Sequence, residues 1–222
     1  MIHARLWAMC FLGGMVLTQA AFAQTAPTPP RLGLPGIPLA TKPAVDRSAP
    51  DKTWAALCAA VKAGDLAGFR ACCYNKNEVS RLFLEAYSDS VVTTFQLAHA
   101  AANLGAEGGA LSRNLEASYT DLVKSGENRT ALLAGDSIKW VKTVTTKEVV
   151  AEEAMYFRKV GQEWLLDIEQ TYSLNTAEGR KTAEDFVASA GPTLKTLKGV
   201  IADIQAKRIT TVQQMRARMA GK

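Results

Sequence analysis

The sequence predicts an α+β fold in which N-terminal helices pack on a curved antiparallel sheet and a helical extension follows. Three observations predict it. Apolar residues recur at helical spacing from Asp51 onward, the pattern changes to strand alternation between Ala131 and Tyr172, and helical spacing returns after Asn175. We place the main domain at residues 51–175 and the helical extension at residues 176–222, a length that suits one folded unit.

The first 23 residues have the three-part order of a secretory signal peptide. Arg5 precedes an apolar run from Leu6 to Leu17, and the small-residue cleavage motif Ala-Phe-Ala ends at Ala23. The apolar run is shorter than the roughly 20 residues that cross a bilayer. We therefore expect cleavage before Gln24, no transmembrane anchor, and export to a periplasm or to the extracellular space.

Residues 24–50 predict an extended, disordered linker between the signal peptide and the domain. Proline is concentrated there and few residues could contribute to a core. Seven of the eight prolines of the chain lie in this segment: Pro27, Pro29, Pro30, Pro35, Pro38, Pro43 and Pro50.

Composition excludes several functional classes. The formal charge of +5 is too small to indicate a nucleic-acid partner. Cleavage of the signal peptide leaves His99 as the one histidine, so no metal site can be assembled from histidines and cysteines alone. We therefore predict no metal and no cofactor.

The folded region begins with helices. Gly64 and Asp65 separate the first helix from a short second one. A long helix from about Glu78 to Asn103 is apolar on more than one side, so we expect two of its faces to be covered. The first helix is predicted from one apolar stripe: Trp54, Leu57, Cys58 and Val61.

The clearest strand signal is the hairpin VVAEEAMYFRKV-GQ-EWLLDIEQTY, in which Gly161 and Gln162 fit a two-residue turn. Pairing Val160 with Glu163 sets the register of both strands. On one face, this register predicts three further pairs: Phe157 opposite Leu166, Met155 opposite Ile168, and Glu153 opposite Gln170.

This face is the predicted binding site for a small apolar ligand. If it lines a cavity, Glu153 at its far end would be desolvated, its pKa would rise, and it could act as a general base beside Gln170. The alternative is that this end of the hairpin leaves the core and both side chains reach solvent. The predicted ligand-binding residues are Trp140, Met155, Phe157, Trp164, Leu166 and Ile168.

Three cysteines, Cys58, Cys72 and Cys73, stay in the exported chain, where an oxidising compartment favours disulfides. If the chain turns back at Gly64, Cys58 approaches the other two. We predict a disulfide between Cys58 and Cys72, with pairing to Cys73 or free thiols as alternatives.

The AVKAGDLAGF turn between the first two helices and the strand pair YFRKVGQEWLLDIEQTY together resemble the nuclear transport factor 2-like superfamily of cone-shaped α+β proteins. The resemblance covers Asp51 to Tyr172. The resemblance implies a fold shared with ketosteroid isomerases, dehydratases, polyketide cyclases and exported members with no known activity. Members often dimerise through the outer sheet face. Here that face carries Arg158, Asp167 and Glu169, which leaves a homodimer open.

Three functional hypotheses follow. The first is a non-enzymatic exported module that binds a small apolar ligand or an anionic envelope component. The second is an isomerase or dehydratase acting on a small hydrophobic substrate, with Glu153 as base and Gln170 polarising a carbonyl. The third is a structural or assembly role for the tail from Lys195 to Lys222, which has seven basic residues against the single acid Asp203.

Overall fold

The computed structural model describes residues 45–145 and 150–221, and over these residues the chain forms seven helices and five strands. The predicted α+β class is confirmed. The predicted signal peptide and residues 24–44 of the predicted linker lie outside the described residues. In chain order the elements are α1 (Pro50–Ala63), α2 (Leu66–Ala71), β1 (Cys73–Tyr74), α3 (Glu78–Ala101), α4 (Gly105–Ser125), β2 (Thr130–Ala134), β3 (Ser137–Thr145), β4 (Val150–Val160), β5 (Glu163–Asp167), α5 (Ile168–Thr171), α6 (Ala177–Gln205) and α7 (Val212–Met219).

The five strands form one mixed sheet in the order β1-β5-β4-β3-β2. Strands β2 to β5 are antiparallel neighbours, as the alternating sequence predicts. The short strand β1 adds a parallel edge, with Cys73 opposite Leu166. The prediction of a purely antiparallel sheet was wrong at this edge, because two residues between α2 and α3 give no recognisable strand pattern.

The β4–β5 hairpin has the predicted register. Val160 pairs with Glu163, and Phe157 pairs with Leu166. Gly161 has a φ of 62°, in the left-handed region that glycine enters without steric cost. The turn residues therefore decide which face of each strand points into the core.

The inner face of the sheet is covered by helices. Met155 and Phe157 on β4 are 1% and 0% exposed, and they share one hydrophobic cluster with residues of α1 and α3. Burial of each such side chain stabilises the fold by about 1.5–3 kcal/mol. The cluster includes Trp54, Leu57, Val61, Phe83, Tyr87, Val91, Ile138, Trp140 and Leu166.

Helix α6 packs along the other side of α3, so α3 is covered on two faces as its sequence predicts. The Phe83 ring on α3 lies 5.6 Å from the Phe186 ring on α6 and 5.0 Å from the Tyr172 ring. This aromatic contact ties the C-terminal extension to the main domain.

Helix α6 runs without a break from Ala177 to Gln205, although Gly191 and Pro192 predict an interruption. Proline inside a helix removes one backbone hydrogen bond and costs about 3 kcal/mol. Both residues are exposed, whereas Ala190 and Leu194 beside them are buried. Packing on both sides of the proline therefore keeps the helix continuous.

A second, smaller hydrophobic cluster joins the C-terminal parts of α3 and α6 to α7. It fixes the elbow of residues 206–211 between α6 and α7. Its buried members are Ala101, Leu104, Leu197, Val200, Ile204, Ile209, Val212, Met215 and Met219.

An ion-pair clamp also holds the elbow. Arg208 donates from Nε and Nη2 to Asp203 Oδ1 at 2.8 and 2.6 Å, and Arg218 Nε donates to Asp203 Oδ2 at 3.1 Å. Hydrogen bonds from Arg208 first, and then from Arg218, lower the pKa of Asp203 below its ordinary 3.8. The clamp therefore stabilises the fold fully above pH 3.8 and is lost as the pH falls through the lowered pKa.

We expect Asp203→Asn to lower Tm at neutral pH, because the amide keeps the shape but removes the charge from the clamp. The Tm difference from the unsubstituted protein should hold constant between about pH 5 and 8 and shrink below about pH 3.8. Thermal melts at several pH values measure it. Asp185→Asn, an exposed change on the same helix, serves as the control and should show no such pH dependence; a constant Asp203→Asn difference down to pH 2.5 would contradict the clamp.

Candidate functional site

The predicted apolar binding face lies inside the core. Trp140, Met155, Phe157, Leu166 and Ile168 are each 8% exposed or less. The Trp140 ring packs edge-on against Phe157, with centroids 5.5 Å apart.

Little space remains over this face. The void between the helices and residues Leu166 and Ile168 measures about 10 Å³, near the lower limit for one water molecule. Trp164 is half-buried and packs against the same cluster. The expectation of an open pocket here is not met, because Trp54, Leu57 and neighbouring helix residues fill it.

The predicted pairs Met155–Ile168 and Glu153–Gln170 were wrong. Strand β5 ends at Asp167, whose carboxylate accepts the Gln170 backbone N–H at 3.1 Å and caps helix α5. Ile168 and Gln170 therefore lie on a helix, and Glu153 is opposite Lys142 of β3. An aspartate is found both at strand ends and at helix N-caps. Because the alternation between apolar and polar residues continues past Asp167, the sequence gives no sign that the strand ends there and a helix begins.

Glu153 faces a buried arginine that the sequence gives no reason to single out. The Arg129 side chain is 0% exposed, Glu153 is 7% exposed, and Arg129 Nη2 lies 3.6 Å from Glu153 Oε2. Burial lowers the pKa of Arg129, and the Glu153 carboxylate opposes that shift. The two opposite charges are buried side by side, although Arg129 Nη2 has no hydrogen-bond partner among the described residues.

Arg129 also joins three elements through backbone carbonyls. Its Nη1 donates to the carbonyls of Trp140 on β3 and Glu153 on β4, at 3.1 and 2.9 Å, and its Nε donates to Ser125 at the end of α4. The guanidinium lies 5.9 Å from the Trp140 ring. This network positions α4 against the sheet.

The predicted Cys58–Cys72 disulfide is not formed in the structure. Cys58, Cys72 and Cys73 are buried thiols, between 1% and 6% exposed. All three pack in the main hydrophobic cluster, and Cys73 Sγ contacts the Phe69 carbonyl at 3.5 Å. Burial first, and the neighbouring Cys72 second, raise the pKa of Cys58 to about 12 and raise that of Cys73 well above its ordinary value.

An open groove of about 1040 Å³ lies elsewhere, where the helices α1, α3 and α6 end. We call it the helix groove. The elbow between α6 and α7 closes one side. Its floor lies where the two hydrophobic clusters meet and is formed by Val61, Phe95, Leu104, Ile201, Ile204 and Ile209.

The rim of the helix groove is cationic. Its cations are Lys62, Lys198 and Lys207, and no carboxylate lines the groove among the described residues. Lys198 Nζ binds Asp89 Oδ2 at 2.7 Å outside the lining, and Lys62 Nζ lies 5.3 Å over the Tyr119 ring. Cations near helix C-termini are also stabilised by the helix dipole. The groove therefore combines an apolar floor with positive charge.

No sequence pattern predicts the helix groove. Lys198 and Lys207 belong to the basic tail, and only the tertiary packing brings them beside Lys62. Among the described residues, no group of three histidine, cysteine or acidic side chains is placed to hold a metal ion. Nor does any helix of this part of the chain have the length and apolar character needed to cross a membrane.

No family model, curated protein or solved structure matches this chain. The resemblance to the nuclear transport factor 2-like superfamily therefore stays a prediction.

We expect Glu153→Gln to lower the free energy of unfolding by about 3–5 kcal/mol, because the buried guanidinium of Arg129 loses its counter-charge. Urea denaturation measures the change. Glu152→Gln is the matched control, since Glu152 is 51% exposed and pairs with Lys139 at the surface, and should cost less than about 1 kcal/mol. Equal effects of the two variants would contradict a structural role for the buried pair.

We expect Cys58 and Cys73 to resist alkylation by iodoacetamide in the native protein at pH 8. A pKa of about 12 for Cys58 leaves a thiolate fraction about a thousandfold below that of an ordinary thiol. Peptide mass spectrometry after labelling gives the extent at each cysteine. In urea under reducing conditions both should react rapidly, and rapid native labelling would show that the core opens around them.

Proposed function

We propose that this protein is an exported, non-enzymatic binding module whose helix groove holds a small amphiphile with an anionic head group. The observation that carries the proposal is a groove of about 1040 Å³ with three lysines and no carboxylate among its described lining residues. Charge complementarity selects an anionic ligand.

The apolar floor of the groove indicates a second property of the ligand, which is an apolar body. Leu104, Ile201 and Ile204 line the groove and are 7–8% exposed, so they offer it a narrow apolar surface. Small-molecule sites usually occupy about 300–1000 Å³ and combine such apolar surface with a few polar groups. A single-chain amphiphile fits both features, because its chain covers the floor and its head group meets the lysines.

The predicted signal peptide supports the setting of this proposal, since export brings the chain to a cell envelope or its surroundings, where anionic amphiphiles are available. The fold likeness to the nuclear transport factor 2-like superfamily belongs to the same proposal. It is supported by the order of helices before the sheet and by the register of the β4–β5 hairpin.

The enzyme hypothesis receives less support from the geometry. Glu153 is 7% exposed beside Arg129, and Gln170 lies on α5 rather than opposite it. The hypothesis of an assembly role through the basic tail is also weaker, because Arg208 and Arg218 bind Asp203 and Arg216 binds Glu107.

Titration calorimetry with laurate, kept below its micelle-forming concentration, tests the proposal. We expect a Kd on the order of 0.1 mM that weakens as salt screens the lysines. Dodecyl maltoside, which has the same chain without charge, and acetate, which has the charge without the chain, should each bind at least about tenfold more weakly. Equal binding of laurate and dodecyl maltoside, or none of laurate, would contradict the proposal.

A pair of variants locates the binding. Ala202 is exposed and lines the groove, so Ala202→Trp should fill the space and abolish laurate binding. Ala55→Trp is the matched control, because Ala55 is exposed on α1 outside the groove lining. Both should keep Tm within a few degrees, since surface substitutions change stability by about 0.5 kcal/mol or less.

A further inference from the structure

Helix α6 ends in a turn that favours glycine. The Lys207 N–H donates to the Ile204 carbonyl at 2.9 Å, and the Arg208 N–H donates to the Asp203 carbonyl at 2.8 Å. This is the Schellman motif, and it places Lys207 in the left-handed region, with a φ of 59°. A residue with a Cβ is strained there, whereas glycine is not.

The same motif closes two other helices of this chain. Gly64 ends α1 with a φ of 69°, and Ser173 ends α5 with a φ of 57°. In both, the next N–H reaches back to the helix, from Asp65 to Ala60 and from Leu174 to Glu169, at 2.8 Å each. The chain therefore uses glycine at one helix end beside the groove and lysine at the other.

Compensation of the helix dipole does not by itself explain a lysine at position 207. Arg208 and Arg218 already bring two guanidinium groups to Asp203 at this end of α6. Helix-end charge falls off within the last turn, and further cations there add little. Strain alone assigns no role, because Ser173 has the same conformation outside the groove. The place of Lys207 in the groove lining is what indicates a role for its side chain.

The side chain of Lys207 differs from those of the other groove lysines. Lys198 is bound to Asp89, and Lys62 lies over the Tyr119 ring. Lys207 is exposed, lines the groove, and has no side-chain hydrogen bond or ion pair with another described residue. Its ammonium group has three donors available for an acidic group in the groove.

We propose that Lys207 is the residue that binds the anionic head group of the groove ligand and determines the preference for an acid. This inference rests on the proposed function. Lys207 lines the groove from the elbow, beside Lys62 and beside Lys198, whose charge is paired with Asp89.

Lys207→Gly separates binding from stability. Removal of the strain should raise Tm by about 2–4 °C, while loss of the charged contact should weaken laurate binding about tenfold. Binding of dodecyl maltoside should not change. Ser173→Gly is the matched control, because it relieves the same strain at an exposed position outside the groove lining. It should raise Tm similarly and leave laurate binding unaltered.

Lys207→Arg keeps the charge and should bind laurate within about threefold of the unsubstituted protein. If the unsubstituted chain does not bind laurate, the proposed function fails. If it binds laurate and Lys207→Gly binds equally well, this inference fails while the proposed function stands. A fall in Tm for Lys207→Gly would also overturn the inference, because the lysine would then be explained by helix-end stability.

Discussion

The packing of α1 and α3 on the inner face of the sheet is the interaction on which the rest of the structure depends. Phe157 and Met155 lie at its centre and are almost completely excluded from water. Because the helices fill this face, a void of only about 10 Å³ is left there. The space for a ligand lies instead at the periphery, where α1, α3 and α6 end and the smaller C-terminal cluster begins.

The buried cation Arg129 and the exposed cation Lys207 have different surroundings. The Arg129 side chain is fully buried, and Glu153 and three backbone carbonyls surround it. A charge in that position is tolerable only with such partners. Lys207 is exposed at an open groove and has no partner among the described residues. Because water solvates its ammonium group, leaving this charge unpaired costs little free energy. The buried charge of Arg129 therefore serves the fold, and the exposed charge of Lys207 is the one that we propose for recognition.

The hairpin shows how far pattern analysis extends. Its turn and its first pairs, up to Phe157 with Leu166, follow from Gly161 and the alternation of side chains. The prediction fails one residue later, because Asp167 caps a helix with the same side chain that would suit a strand. Helix α6 is the opposite case. Pro192 predicts a break, and burial of residues on either side keeps the helix intact.

The sequence by itself determined the α+β class, the succession from N-terminal helices through antiparallel strands to C-terminal helices, the hairpin register up to Leu166, and the apolar character of the sheet's inner face. These depend on local periodicity and turn chemistry, which neighbouring residues encode. Only the tertiary structure decided that this face is core rather than pocket, that Arg129 neutralises Glu153, and that Lys62, Lys198 and Lys207 surround one groove. These depend on contacts between residues far apart in the chain, and no local pattern specifies how such residues meet.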